Sequence, residues 1–366
     1  MGEVNCTNCK KAQEQFTEFI FPSQQNHEKE EAVSHNSHKD DIKEIESVLE
    51  NQTPSEEQLR LLGQNQNLRA KREILEAKEK YEEQLRENGA EIFEEEGAVE
   101  NLLRQKNPMA MEVHVPKEMM LARAGENNDE VFYVPLIKFP TGEYFSGFVN
   151  KNFQKQGYGI QINEDGTVYK GFWQNNDIDY GAIIDKNDTY YIGEIKEKKP
   201  EGTGEIFEKN KYKFEGKFVN GIPEGEGTFT NFKDGSVYVG SMRNGKKVGY
   251  GKMTKNDGTV YEGEFAEDCF NGHGILNYST GQKYDGDFKD GKIEGYGKFY
   301  WEDGKVYEGN FINGQKSGLG KMIWSETQYY EGNWVNDLQH GEGVYYLDGK
   351  FSKGKFRFGK IIRQNS

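Results

Sequence analysis

From Val131 onward the chain alternates apolar and polar positions in short runs. In Tyr261-Glu262-Gly263-Glu264-Phe265, ring and glycine positions alternate with acids. Side chains alternate faces along a strand, so Tyr261, Gly263 and Phe265 share one face. Gly272, Gly274, Leu276 and Tyr278 share a face in the next run, while Glu262, Glu264, His273, Ile275 and Asn277 point the other way. The same five-residue pattern returns at Tyr284–Phe288 and Tyr307–Phe311. Its first glycine falls at Gly147, Gly171, Gly193, Gly216, Gly240, Gly263, Gly286, Gly309, Gly332 and Gly354, in steps of 22 to 24 residues. A fixed period of this length is the mark of a repeat array. Glycine weakens a strand unless another group approaches it closely, so each gap predicts a ring lying over the missing side chain.

The turns support a hairpin in every unit. Asn220-Gly221, Asn244-Gly245, Asp290-Gly291 and Asn313-Gly314 fall inside units, and Asp165-Gly166, Asp234-Gly235, Asp257-Gly258, Asp303-Gly304 and Asp348-Gly349 fall between them. Such dipeptides supply the positive φ that tight hairpins need. At about 4.8 Å per strand, roughly twenty strands make a ribbon about 100 Å long.

The pattern is different before Val131. Residues 1–53 are polar and are expected to be a disordered tail. Residues 54–107 read as an amphipathic helical segment opened by Pro54-Ser55, with the stripe Leu61, Leu68, Ile74, Leu75, Tyr81 and Leu85. Asn88-Gly89 and Gly97 are expected to interrupt it, and Asn107-Pro108 to end it. Residues 108–130 form a connector with a short helix at Lys117–Ala124, residues 131–358 the β-array, and residues 359–366 a tail. An isolated helix of this kind is marginal, so docking on an aromatic surface, its own or a neighbour's, is expected.

Charge follows the same division. Residues 1–130 hold 29 acids and 16 bases, and the remainder 33 and 31. The acidic balance argues against nucleic acid as a partner. No run of about eighteen apolar residues exists to span a membrane as a helix. Three cysteines do not make a disulfide framework and suggest a reducing compartment.

Tyr-x-Gly-x-[Phe/Trp] followed by Gly-x-Gly at this spacing resembles the MORN repeat, the membrane occupation and recognition nexus, over about Lys138 to Phe358. The resemblance implies a mainly β fold, an elongated single-sheet array of about ten antiparallel hairpins. It implies a non-enzymatic scaffold, similar at repeat level to radial-spoke head and cortical proteins. A cytoplasmic, cytoskeletal location is expected, with the cilium and its axoneme favoured by that analogy.

Candidate sites follow from the exposed aromatic face expected of one open sheet. Tyr238, Tyr261, Phe265, Tyr284, Phe288, Tyr307, Phe311, Tyr330 and Trp334 are the expected partner-binding residues. The partners would be helical or extended segments of proteins such as cytoskeletal subunits, and free end strands would allow homo-oligomers. The alternative is a membrane-cortex tether holding anionic lipid through Lys353, Lys355, Arg357, Lys360 and Arg363, a basic stretch that could equally be a terminal strand or cap. No catalytic, cofactor or metal residues are expected. The Gly-x-Gly pairs recur as sheet glycines and lack the strand-to-helix turn of a nucleotide fingerprint. Cys6 and Cys9 form a lone C-x-x-C, and Gly2 lacks the Ser or Thr that acylation favours. His273 and His340 fit the repeat pattern.

Overall fold

The computed structural model describes residues 56–116 and 131–365. The expectations for residues 1–53, Gly2, Cys6, Cys9 and Lys117–Ala124 fall outside them, as do the side chains of Leu61 and Leu68.

One antiparallel sheet of 22 strands runs from β1 (Glu91–Phe93) to β22 (Lys360–Asn365). Each strand pairs with its neighbour in sequence, so the topology is a continuous meander with no crossover. Two-residue turns close the hairpins within units: Asn313 and Gly314 both have positive φ, at 49° and 76°. Between most units the turn differs from expectation. In Asp257-Gly258 only the glycine is left-handed (φ +86°), and the Asp257 carboxylate instead accepts the Thr259 amide at 2.8 Å. The longer loop needs one left-handed residue and one side-chain cap.

The helical segment is divided at its glycines. Helix α1 (Glu56–Glu87) stops before Gly89, and the chain then enters the sheet as β1 before α2 (Ala98–Lys106) and α3 (Met109–Glu112). Gly89 and Gly97 both sit at φ +80°, a conformation that ends a helix at little cost for glycine alone. The tail is also structured, since Lys360–Asn365 pairs with β21 (Lys350–Arg357).

α1 docks on the first hairpin, β2 (Val131–Lys138) and β3 (Tyr144–Asn150). Tyr81 stacks on Phe153 at 4.7 Å and meets Phe132 edge-on, and Leu85 is buried beside it. Of the expected stripe Ile74, Tyr81 and Leu85 pack on the sheet, while Leu75 points outward at 60% exposure. Ile74, Ala77, Tyr81 and Leu85, at helical spacing, are the ones that pack.

Candidate interaction surfaces

Glycine decides how the rings are held. One glycine in every strand from β3 to β21 lies in a single cross-strand row, as in Gly251, Gly263, Gly274 and Gly286. A Cβ on Gly263 would stand 2.5 Å from the Gly274 Cα and 2.6 Å from the Tyr261 hydroxyl. The Tyr261 ring thus lies flat on the glycine pair, and its hydroxyl donates to the Glu264 carbonyl at 2.8 Å. Tyr284, Tyr307 and Tyr330 make the same bond three residues ahead. Directly after the glycine the hairpin register shifts, as between Gly263 and Phe265. Such bulges bend a strand, and repeated in line they fold the sheet along its length around the rings.

The nine aromatic residues expected to bind a partner are therefore interior. None exceeds 4% exposure. They form an unbroken zigzag from Tyr238 through Phe265, Tyr261, Phe288, Tyr284, Phe311, Tyr307 and Trp334 to Tyr330, with centroids 4.9 to 5.4 Å apart and rings nearly perpendicular. Perpendicular rings set a positive edge against a negative face, a favourable pairing beyond area burial. Burial pushes the Tyr330 hydroxyl up to about 12 and raises those of Tyr261, Tyr284 and Tyr307. The sequence showed which residues share a face, but not that the sheet bends to close over it.

The opposite, outer face is available in its place. Its first part is covered by the chain itself. Leu103 of α2, Ala110 of α3, Val113 and Val115 pack on Ile162, Val168, Ala182 and Ile184, all buried. Asn107, between the helices, is the anchor: its side-chain amide faces the carbonyls of Gly166, Ile184 and Asp185 at 3.1, 3.2 and 3.0 Å. Lys170 donates to the Val113 carbonyl at 3.2 Å. Further along, the outer face carries Tyr250, His273, Tyr296 and Leu319 at the middle of successive Gly-x-Gly elements, all exposed. The Tyr250 and Tyr296 hydroxyls donate to Glu262 and Glu308, and His273 sits 3.3 Å from Asp285. Among the described residues no group of three metal-ligating side chains converges, and no helix is long and apolar enough to cross a membrane.

Residues 214–236, 238–260, 261–283, 284–306, 307–326 and 330–351 each match the family model of the MORN repeat. The chain carries MORN repeats. No curated protein matches it. Among solved structures it is similar to the TCP10 domain of Danio rerio CPAP, in complex with a peptide of Danio rerio STIL. There the identity is 14% and the TM-score 0.33, over 56% of this chain and 94% of that one. The SAS-4 (dCPAP) TCP domain of Drosophila melanogaster, in complex with a proline-rich motif of Ana2, matches at 9% and 0.24, over 55% and 84%. A streptogramin B lyase matches at 13% and 0.12, over 60% and 78%. Overlaps this loose carry no argument about the chain.

The MORN geometry begins before the matched residues. Gly147 pairs with Gly159, Gly171 with Gly181 and Gly193 with Gly204, in the same register as the matched units. The basic residues of the last MORN hairpin lie at its open end. Lys353, Lys355 and Arg357 are on β21, and Lys360 and Arg363 on β22, with Phe351, Phe358, Ile361 and Ile362 exposed among them.

Proposed function

We propose that this chain is a non-enzymatic structural scaffold that binds protein partners through the outer face and ends of its MORN array. The observation that carries this is the division of labour between the two faces. The ring face is filled by the chain's own aromatics, while much of the outer face is bare. A meander of this length presents many strands' worth of surface on one continuous sheet, which suits a scaffold better than a pocket enzyme. We place it in a cytoskeletal assembly of the cytoplasm, the ciliary axoneme first, on the repeat-level resemblance to radial-spoke head proteins. The test is affinity capture with the full chain in a ciliated cell, followed by reciprocal capture from the partner's side. Recovery of axonemal subunits in both directions supports the reading, and recovery of the chain alone overturns it.

A second reading, a membrane-cortex tether, is favoured by the basic and apolar residues of β21 and β22. Its test is co-sedimentation with vesicles containing phosphatidylserine: binding lost on Lys353→Glu with Lys355→Glu supports it.

A further inference from the structure

A single cross-strand row on the outer face runs the length of the array, one residue per strand. In its first part it reads Tyr144, Ile162, Val168, Ile184, Tyr190 and Phe207, six apolar residues on six adjacent strands. In the middle it turns largely polar, passing through Lys213, Thr230, Thr254, Asn277 and Lys283. Near the end it becomes apolar again: Tyr300, Val306, Ile323, Tyr329, Tyr346 and Phe351, six residues on six adjacent strands.

The two ends differ in what covers them. Ile162, Val168 and Ile184 are fully buried under α2, α3 and the segment to Val115. At the far end nothing among the described residues plays that part. Tyr300, Val306, Ile323, Tyr329 and Tyr346 are half-buried, and Phe351 is 67% exposed. The rings are already arranged as a platform, with Tyr329 stacked on Tyr346 at 4.9 Å and Tyr346 against Phe351 at 4.9 Å. Five strand spacings make the row about 24 Å long, the length of a helix of about sixteen residues.

The surrounding charge selects the occupant. The outward positions of β21 after Phe351 are Lys353, Lys355 and Arg357, with no acid between Lys350 and Arg357. These three make no ion pair among the described residues, whereas Lys321, three strands away in the cross-strand row of Lys353, pairs with Glu331 at 3.5 Å. The chain's own described helices are engaged elsewhere, α1 on the first hairpin and α2 and α3 on the first part of the row.

We propose that the outer face between Tyr300 and Phe351 is the docking site for an acidic amphipathic helix of a protein partner. The helix lays an aliphatic stripe on the row, as α2 does at the other end, and sets its acids against Lys353, Lys355 and Arg357. This rests on the scaffold reading and names the kind of partner.

The test uses two synthetic helical peptides with one leucine stripe, one flanked by glutamates and the other by lysines, followed by fluorescence anisotropy with the full chain. The glutamate peptide is expected to bind at least tenfold tighter than the lysine peptide. Phe351→Ser with Tyr346→Thr should weaken it at least tenfold, and Lys353→Glu with Lys355→Glu should reverse the preference between peptides. Melting curves check that the variants fold, and Arg357→Glu, at a side chain outside the core, serves if the ring variants do not. Equal binding of the two peptides, or binding indifferent to all these changes, overturns the proposal. So does a dimer in light scattering that Phe351→Ser dissolves, which would assign the row to a second copy. Vesicle binding without peptide binding would assign the surface to lipid and overturn it as well. If an identified partner is captured undiminished by the Phe351→Ser, Tyr346→Thr chain, this site fails while the scaffold reading stands.

Discussion

At the scale of single residues, the ring face contains a pairing rule. Two positions before the first glycine of each Gly-x-Gly, four units place Pro200, Pro223, Phe270 or Ile293, the last places Gln339, and three place Lys155, Lys247 and Lys316 against the rings. In those three the next unit's turn carries a left-handed acid or amide that accepts the lysine's backbone amide: Asn176 at 2.8 Å, Asp268 at 3.0 Å and Asp337 at 2.9 Å. Asp268 and Asp337 also pair with the ammonium groups, at 3.4 and 3.5 Å. Asn176 cannot, so Lys155 rests between Phe145 and Trp173 with Gln161 as its hydrogen-bond acceptor. Burial lowers its pKa to about 8, with Glu143 opposing and Lys198 adding to the shift. The unfolded chain therefore holds this proton more tightly than the folded one. The resulting penalty, up to about 3 kcal/mol, is present below pH 8 and is relieved as pH rises toward the unfolded value. Urea melts of Lys155→Met against the parent should show a gain at pH 7 that shrinks by pH 10. Asn176→Asp should also stabilise at pH 7, whereas Asp268→Ala should cost about 3 kcal/mol by stranding Lys247. A second residue-scale consequence concerns Phe265 and Phe288. Since both are interior, Phe265→Ala should lower stability by about 3–5 kcal/mol, measured in denaturant. Weakened capture by such a variant would report unfolding.

At the scale of elements, the segment from α2 to Val115 is a folded cover tied down at one point. Asn107 is buried and faces carbonyls from two separate turns of the array. Asn107→Ala leaves those carbonyls without their donor, which should cost about 1–3 kcal/mol. Asn107→Asp should do worse, because a carboxylate against three carbonyl oxygens is repelled. Hydrogen exchange separates local from global effects: faster exchange confined to residues 98–116 and their contacts on Ile162 to Ile184 is the expected result. Uniformly faster exchange across the array would show instead that the cover is needed for the whole fold.

At the scale of the molecule, each hairpin touches mainly its two neighbours, so stability is close to a sum of units and interfaces. The first units are the exception, because their outer face is apolar and is buried by the segment between β1 and β2. A fragment of residues 131–366 would bare Ile162, Val168 and Ile184 together with the Phe132 side under α1. It is expected to melt below the full chain and to self-associate, by light scattering. Adding back residues 56–116 in trans should reverse both. A fragment as stable as the full chain would mean that the N-terminal helices are ornaments of the array.

The sequence alone determined the strand pattern, the repeat, the glycine row and the tight turns. Those depend on contacts within a unit or between adjacent units, where side-chain alternation and turn chemistry act locally. It also marked the breaks at Gly89 and Gly97, since a left-handed glycine is a local property. Tertiary structure alone decided which surface is free. Tyr261 and Phe288 share a face in any reading, but whether that face meets water or other rings depends on the register shift that follows the first glycine of a unit, as after Gly263 and Gly286, where the pairing of the two hairpin strands slips by two residues. The same holds for Asn107, whose partners lie 59 to 78 residues away, and for the outer row, whose members are joined only by cross-strand register. Contacts between residues so far apart in sequence leave no short pattern, because nothing in the chain between them is constrained by the meeting.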